Sequence, residues 1–474
     1  FAIYWDAKSG KLYGLNSSGW APQALTVAHI KAKDANSMPE EGIDTVTVPG
    51  AVAGWDALHT RFGKAPWKDI LQAAIFYAQN GYPVPELIHD FWVESAADVS
   101  RDPESRRVYL STGKPPAVGE IFKNVDLSKA LRLIAQQGAS AYYQGEIAHA
   151  ILDTEKQLGG TMAADDLAQF KPEWVEPVST TYRGWTVYEL PPNGQGMAAL
   201  EMLNIMEVTP ASADGPSSVT ELHKKIEAMK LAYADLYRYN ADPRFAKVPV
   251  KGLLSKEYAK ERAKLIDPAK ANCEVMAGAP PMSDTTYLTA VDRDGNIVSL
   301  IQSNYASFGS GITVRGMGFA LQNRGALFSL DPASPNVLAP RKRPFHTIIP
   351  AFMEKGDQHI GFGIMGGPNQ PLAHAQFVSN IVDYGMNIQA ALENARFTVS
   401  DKRGCNILIE SRVKPDVRDK LTALGHQLEV RKEYSATMGR GQAVLHDAGS
   451  GVNYGASDAR ADGSAEPEAP PIAW

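Results

Sequence analysis

The chain has 474 residues, enough for one large domain or about three average ones, and its 44% hydrophobic share can fill a sizeable core. Its 47 basic and 53 acidic residues give a net charge of −6, which argues against a nucleic-acid partner. No apolar run reaches the roughly 18 residues that a membrane-spanning helix needs.

Phe1 to Asp6 read as a strand already under way, with no charged leader, apolar core or cleavage site, so cytoplasm and periplasm both stay open. Residues 1–14 resemble a hairpin turned at Ser9-Gly10. Apolar positions at helical spacing follow over 66–80 and 127–157, and Leu222, Ile226, Met229, Tyr233 and Leu236 form a clear stripe that ends near Asp242-Pro243. Such a stripe is the packing face of a core helix. Residues 267–284 are rich in Pro, Ala and Gly and read as an exposed loop. Thr285–Val291 and Ile297–Gln302 then form two strand-like runs joined by a turn through Asp294-Gly295. Further strands are expected at 347–353, 359–364, 405–410 and 441–446, helices at 371–383, 388–395 and 415–424, and a solvated tail from Ala461. The alternation predicts a layered α/β or α+β protein.

Cys273 and Cys405 belong to no metal-spacing motif and are expected to be free, apolar thiols. The ten histidines are scattered singly, which gives no metal site. Gly361-Phe362-Gly363-Ile364-Met365-Gly366 matches G-x-G-x-x-G, but Asp383 closes the following helix instead of ending a second strand, and Pro368 and Pro371 interrupt the stretch. Neither a dinucleotide nor any other cofactor is expected.

Thr285 offers a different chemistry. A threonine hydroxyl is a poor nucleophile unless a base takes its proton. Its own α-amine, with a pKa of about 8, can be that base if the chain is cut immediately before it. Asp284-Thr285 stands at a loop-to-strand junction suited to such a cut. By position alone, Thr285 and Thr286 read first as β-branched strand residues.

The segment from Asp284 to Phe328 resembles the start of the small subunit of γ-glutamyltranspeptidases and their acylase relatives. A Thr-Thr pair opens a strand, a D-x-D-G-N hairpin follows, and Phe308-Gly309-Ser310-Gly311-Ile312 matches an F-G-[ST]-G-I loop. Val48 to Trp55, Asp166 to Phe170, Tyr182-Arg183-Gly184, Pro191-Pro192, Lys342-Arg343-Pro344, Gly366-Gly367 and Tyr454 to Asp458 match in family order, so the resemblance spans the chain. It implies an α+β fold, the four-layer α-β-β-α sandwich of N-terminal-nucleophile hydrolases. It also implies a large-subunit part, 1–284, and a small subunit, 285–474, that associate as one domain after self-cleavage between Asp284 and Thr285. A family stretch ending in several glycines is expected before the position of Phe1. The resemblance makes Thr285 the nucleophile, sets Ser303 where a hydroxyl sits near the nucleophile's amine, and gives Gly366 and Gly367 the backbone N–H groups of an oxyanion hole.

The positions that hold γ-glutamate in the family differ. Ser18 stands for an arginine, Tyr305 for an asparagine, Leu327 for an acid, and His346-Thr347 for a serine pair. A zwitterion buried without partners costs several kcal/mol. The expected substrate is therefore a small-molecule amide with a non-zwitterionic acyl group, and water or an amine is the acceptor. Arg324 and His346 are the candidates for an acyl-side carboxylate or carbonyl. A true γ-glutamyl enzyme with other anchors and an uncleaved, silent binding homologue are the alternatives.

Overall fold

In the computed structural model, which describes residues 1–274, 284–399 and 405–468, the expected hairpin forms. Strands β1 (Ala2–Asp6) and β2 (Lys11–Asn16) pair antiparallel, with Gly10 at φ +61 closing the turn. In chain order there follow α1 (Ala51–Phe62), β3 (Glu173–Val175), β4 (Val178–Tyr182), β5 (Trp185–Glu189), α2 (Gly196–Glu207) and α3 (Val219–Tyr239). Next are β6 (Asp284–Val291), β7 (Ile297–Tyr305), β8 (Ala351–Lys355), β9 (Gln358–Met365) and α4 (Gln370–Val382). The chain continues through β10 (Phe397–Val399), β11 (Asn406–Glu410), α5 (Pro415–Ala423), β12 (Gln427–Arg431), β13 (Arg440–Asp447) and β14 (Val452–Ser457).

Two sheets form the centre, with strand orders β3-β2-β1-β7-β6 and β14-β13-β9-β8-β5-β4. They pack face to face where β6 crosses β9 and β13. The glycines of the G-x-G-x-x-G stretch explain how they approach so closely. A Cβ on Gly363 would lie 2.4 Å from the Tyr287 ring, and one on Gly361 would lie 2.6 Å from Ile297 Cγ2 and 2.8 Å from Thr289 Oγ1. These two glycines make room for the opposite sheet, so the motif is a packing device.

Helices close both outer faces. Leu222, Ile226, Met229, Tyr233 and Leu236 of α3 are all at most 2% exposed and join α2, α4 and the outward residues Ile360, Phe362 and Ile364 in one core. On the other side, Phe62 of α1 stacks on Tyr4 at 3.9 Å, and Trp55 Nε1 donates to Gln302 Oε1. The result is the expected α-β-β-α sandwich. Among the described residues, no helix is long and apolar enough to cross a membrane.

The structure corrects several local expectations. The strand predicted from 347 begins at Ala351, because Pro350 cannot donate to a ladder and Ile349 N–H donates to Gln370 Oε1 instead. The helical pattern of 127–157 is interrupted at Gly138, which takes φ +65. Most of the predicted loop, 275–283, lies outside the described residues. Cys273 and Cys405 are not free thiols but form a disulfide, with Cα atoms 5.1 Å apart. Residues remote in sequence meet there because Ala271 N–H donates to Leu424 O and Gln427 N–H donates to Cys405 O.

Candidate active site

Thr285 is the second residue of β6, the edge strand of the five-stranded sheet. Thr285 and Tyr287 point inward and are buried, whereas Thr286 and Leu288 are exposed, the alternation of a half-buried strand. The register with β7 slips at this point. Asp284 opposes Tyr305 and Thr286 opposes Gln302, so Thr285 faces both Ser303 and Asn304. Such bulges re-aim a side chain at a sheet edge. The buried Thr285 Oγ1 has no hydrogen-bond partner. Thr285, Ser303, Met365 and Arg440 line a cleft of about 910 Å³. Ser303 Oγ also accepts the Tyr305 N–H at 2.8 Å.

The sheet-to-sheet contact carries Gly366 and Gly367 to the same end of the molecule. Gly361 meets Thr289 and Gly363 meets Tyr287, so the next inward pair is Met365 with Thr285, and both line the cleft. The chain then turns sharply, with Gly366 at φ +139 and Gly367 at φ +60. Glycine adopts these angles without a steric penalty. Gln195, fully buried, fixes the turn by donating from Nε2 to Gly367 O at 2.8 Å and to Thr347 O. Tyr233 OH donates to Pro368 O. Gln195 lies in the glycine-flanked run Asn193-Gly194-Gln195-Gly196, the sequence signal that marks it.

A smaller cavity, about 70 Å³, adjoins the cleft through Trp55, Gln302, Ser303 and Gln322 and reaches Ser18, Arg324 and His346. Arg324 is 1% exposed. Its Nη1 donates to Thr347 Oγ1 at 2.5 Å, its Cζ lies 4.8 Å from the Tyr305 ring centroid, and Nε and Nη2 have no partner. Burial lowers its pKa to about 9, so the group is still cationic at neutral pH. Among the described residues, no Asp or Glu lines the cavity. His346 is buried, Nδ1 is unpaired, and desolvation together with the Arg324 charge holds its pKa well below the usual histidine value. It is a neutral group there, not a switch near pH 7. Ser18 Oγ donates to Asn16 Oδ1 at 2.7 Å, and Asn16 Nδ2 donates to Asn193 Oδ1 at 2.9 Å.

The comparisons with known proteins fit this geometry. Residues 1–468 match the family model described as Gamma-glutamyltranspeptidase. The chain belongs to the γ-glutamyltranspeptidase family. It is 37% identical to the glutathione hydrolase-like YwrD proenzyme of Bacillus subtilis, over 97% of this chain and 87% of that one. It is 32% identical to the oxamate amidohydrolase proenzyme of Klebsiella pneumoniae, over 89% and 80%. A cephalosporin acylase from Bacillus halodurans superposes with a TM-score of 0.91 at 41% identity, over 98% of this chain and 85% of that one. These relatives are hydrolases of the γ-glutamyltranspeptidase and acylase type.

Set against the family pattern, the predicted recognition positions separate into groups. Ser18, Arg324 and His346 share the small cavity, and Tyr305 and Thr347 hold Arg324 from behind. Leu327 lines neither cavity and packs at the edge of the main core. Away from the site, His223, Glu227 and His426 bring one ligand atom each within 4.8 Å of one another, a grouping that the scattered histidines conceal in sequence. The imidazoles bond to each other at 2.8 Å, and Lys230 Nζ donates to Glu227 at 2.6 Å, so the cluster satisfies itself apart from His426 Nδ1.

Proposed function

We propose that the protein cuts itself before Thr285 and then hydrolyses amides whose acyl group carries a distal carboxylate and no α-amine, such as dicarboxylic half-amides. The observation that carries this reading is Arg324, a buried cation with two unpaired guanidinium nitrogens and, among the described residues, no acid lining its cavity. A buried charge left unpaired costs several kcal/mol, and a carboxylate held by guanidinium N–H groups relieves that cost. The relative named oxamate amidohydrolase supports the reading, since oxamate joins a carboxylate to an amide and has no α-amine.

In this reading the freed α-amine of Thr285 takes the proton from Oγ, which attacks the amide carbonyl. Backbone N–H groups at Gly366 and Gly367 stabilise the oxyanion, and Ser303 steadies the amine. The amine proton passes to the leaving amine as the C–N bond breaks, which leaves an ester on Thr285. Water then attacks the ester, giving its proton to the Thr285 amine, and that proton passes to Oγ as the acyl–Oγ bond breaks and the acid is released.

The test compares Arg324→Ala with wild type on a glutaryl anilide and on a neutral acyl anilide of equal length. Loss of about 1.5–3 kcal/mol of charged hydrogen bonding lowers kcat/KM for the glutaryl compound by roughly 10- to 100-fold and leaves the neutral one within a few-fold. Equal losses on both would remove Arg324 from acyl recognition.

A further inference from the structure

The disulfide acquires a different meaning if the chain is cut before Thr285. Cys273 lies on the N-terminal side of that cut and Cys405 on the C-terminal side. Contacts that do not involve the S–S bond hold the two sides together. Ala271 N–H donates to Leu424 O at 2.7 Å, and the His223 and His426 imidazoles bond at 2.8 Å, both across the proposed cut. Lys230, on α3, donates to Glu227 Oε1, to Asn272 O at 3.1 Å and to Cys405 Sγ at 3.5 Å. Glu227 Oε2 in turn accepts the Asn272 N–H. The end of the first fragment is therefore docked at the C-terminal end of α5, beside His426 and Cys405.

We propose that Cys273–Cys405 is a covalent tether between the two fragments of the mature protein; the inference rests on the proposed cut before Thr285. Two thiols lose two protons and two electrons to a disulfide-bearing oxidant, which leaves as the dithiol. Cys273 is exposed and Cys405 is 2% exposed, so exchange enters through the Cys273 sulfur. The bond persists where the compartment is oxidising. There it converts fragment association into an intramolecular equilibrium, which dilution cannot reverse.

The test takes the matured protein, purified without reductant and quenched with an alkylating agent, onto denaturing gels with and without dithiothreitol. N-terminal sequencing accompanies the gels. One species with the summed mass of both fragments is expected without reductant and two fragments with it. Cys273→Ser, at an exposed position, should give two fragments in both lanes and keep wild-type kcat/KM at micromolar concentration. Two fragments without reductant, with both cysteines alkylated, would overturn the tether while leaving the cut intact. One band in both lanes with no N-terminus at Thr285 would overturn the cut and the tether with it. In that case alkylation after denaturation still reports whether the cysteines were paired.

Discussion

The guanidinium of Arg324 lies 4.8 Å from the centroid of the Tyr305 ring, and Tyr305 holds φ at +82 at the end of β7. Besides the Thr347 hydroxyl at 2.5 Å, the ring face is a favourable partner of a cation whose cavity, among the described residues, holds no acid. A desolvated cation–π contact is worth about 1–2 kcal/mol. Tyr305→Leu is expected to lower unfolding stability in urea by about that amount and to raise KM for a carboxylated amide. Tyr305→Phe, which keeps the ring, should stay near wild type in both. Equal losses in Leu and Phe variants would show that the ring face does not hold Arg324.

Maturation tests the role of Thr285. The unpartnered Oγ1 sits at the bulge next to the proposed cut. Purified wild type should give a fragment beginning TTYLTAVD; Thr285→Ala should remain one chain without activity, and Thr285→Ser should cleave more slowly. A wild-type chain that stays intact and still hydrolyses amides would contradict the mechanism.

The turn after β9 carries the oxyanion prediction. At Gly366, φ +139 disfavours any side chain, and a Cβ would lie 3.2 Å from Gly439 Cα. Gly366→Ala and Gly367→Ala should each lower turnover by about 100-fold, the usual cost of one misplaced donor. Near-normal kcat in both, in single-turnover assays, would move the oxyanion site elsewhere.

What was legible in the sequence was local or periodic. The Ser9-Gly10 hairpin, the Leu222-to-Leu236 stripe and the Asp294-Gly295 turn each depend on neighbours in the chain, and each forms as expected. The β4–β5 hairpin carries a weaker signal, because Arg183 occupies a positive-φ turn position where Asn or Gly is usual. The disulfide and the His223–Glu227–His426 cluster depend on segments that meet only after folding. At the site, the family resemblance singled out Thr285 and Arg324, but nothing local shows that Arg324 is buried without an acid. The replacements at Tyr305 and Leu327 part in the fold: Tyr305 backs the arginine and Leu327 lies off both cavities.

Buried histidines set an acid limit on stability. Burial, with the Arg396 charge, lowers His374 to about 3, and burial, with Lys230 and His223, lowers His426 to about 3. Unfolded histidine titrates at about 6.5, so below that pH the unfolded chain binds more protons than the native one. Stability from these two groups is therefore present above pH 6.5 and is lost as pH falls toward 3, by up to about 1.4 kcal/mol per pH unit for each. Urea midpoints between pH 7 and 4.5 should fall with pH, and His426→Asn should flatten the slope by about one proton. An unchanged slope would mean that His426 is protonated in the native protein.

The central claim concerns the acyl group. A γ-glutamyl amide brings an ammonium into a cavity that holds Arg324 and, among the described residues, no carboxylate, whereas its glutaryl analogue lacks only that ammonium. A missing charged partner costs about 1.5–3 kcal/mol, or roughly 10- to 100-fold. The most direct measurement is kcat/KM of the matured protein for glutaryl and γ-glutamyl anilides, side by side at pH 7.5. A preference for the glutaryl compound of at least about 10-fold is the predicted result. A clear preference for the γ-glutamyl compound would contradict the account and make the protein a γ-glutamyl enzyme with other anchors.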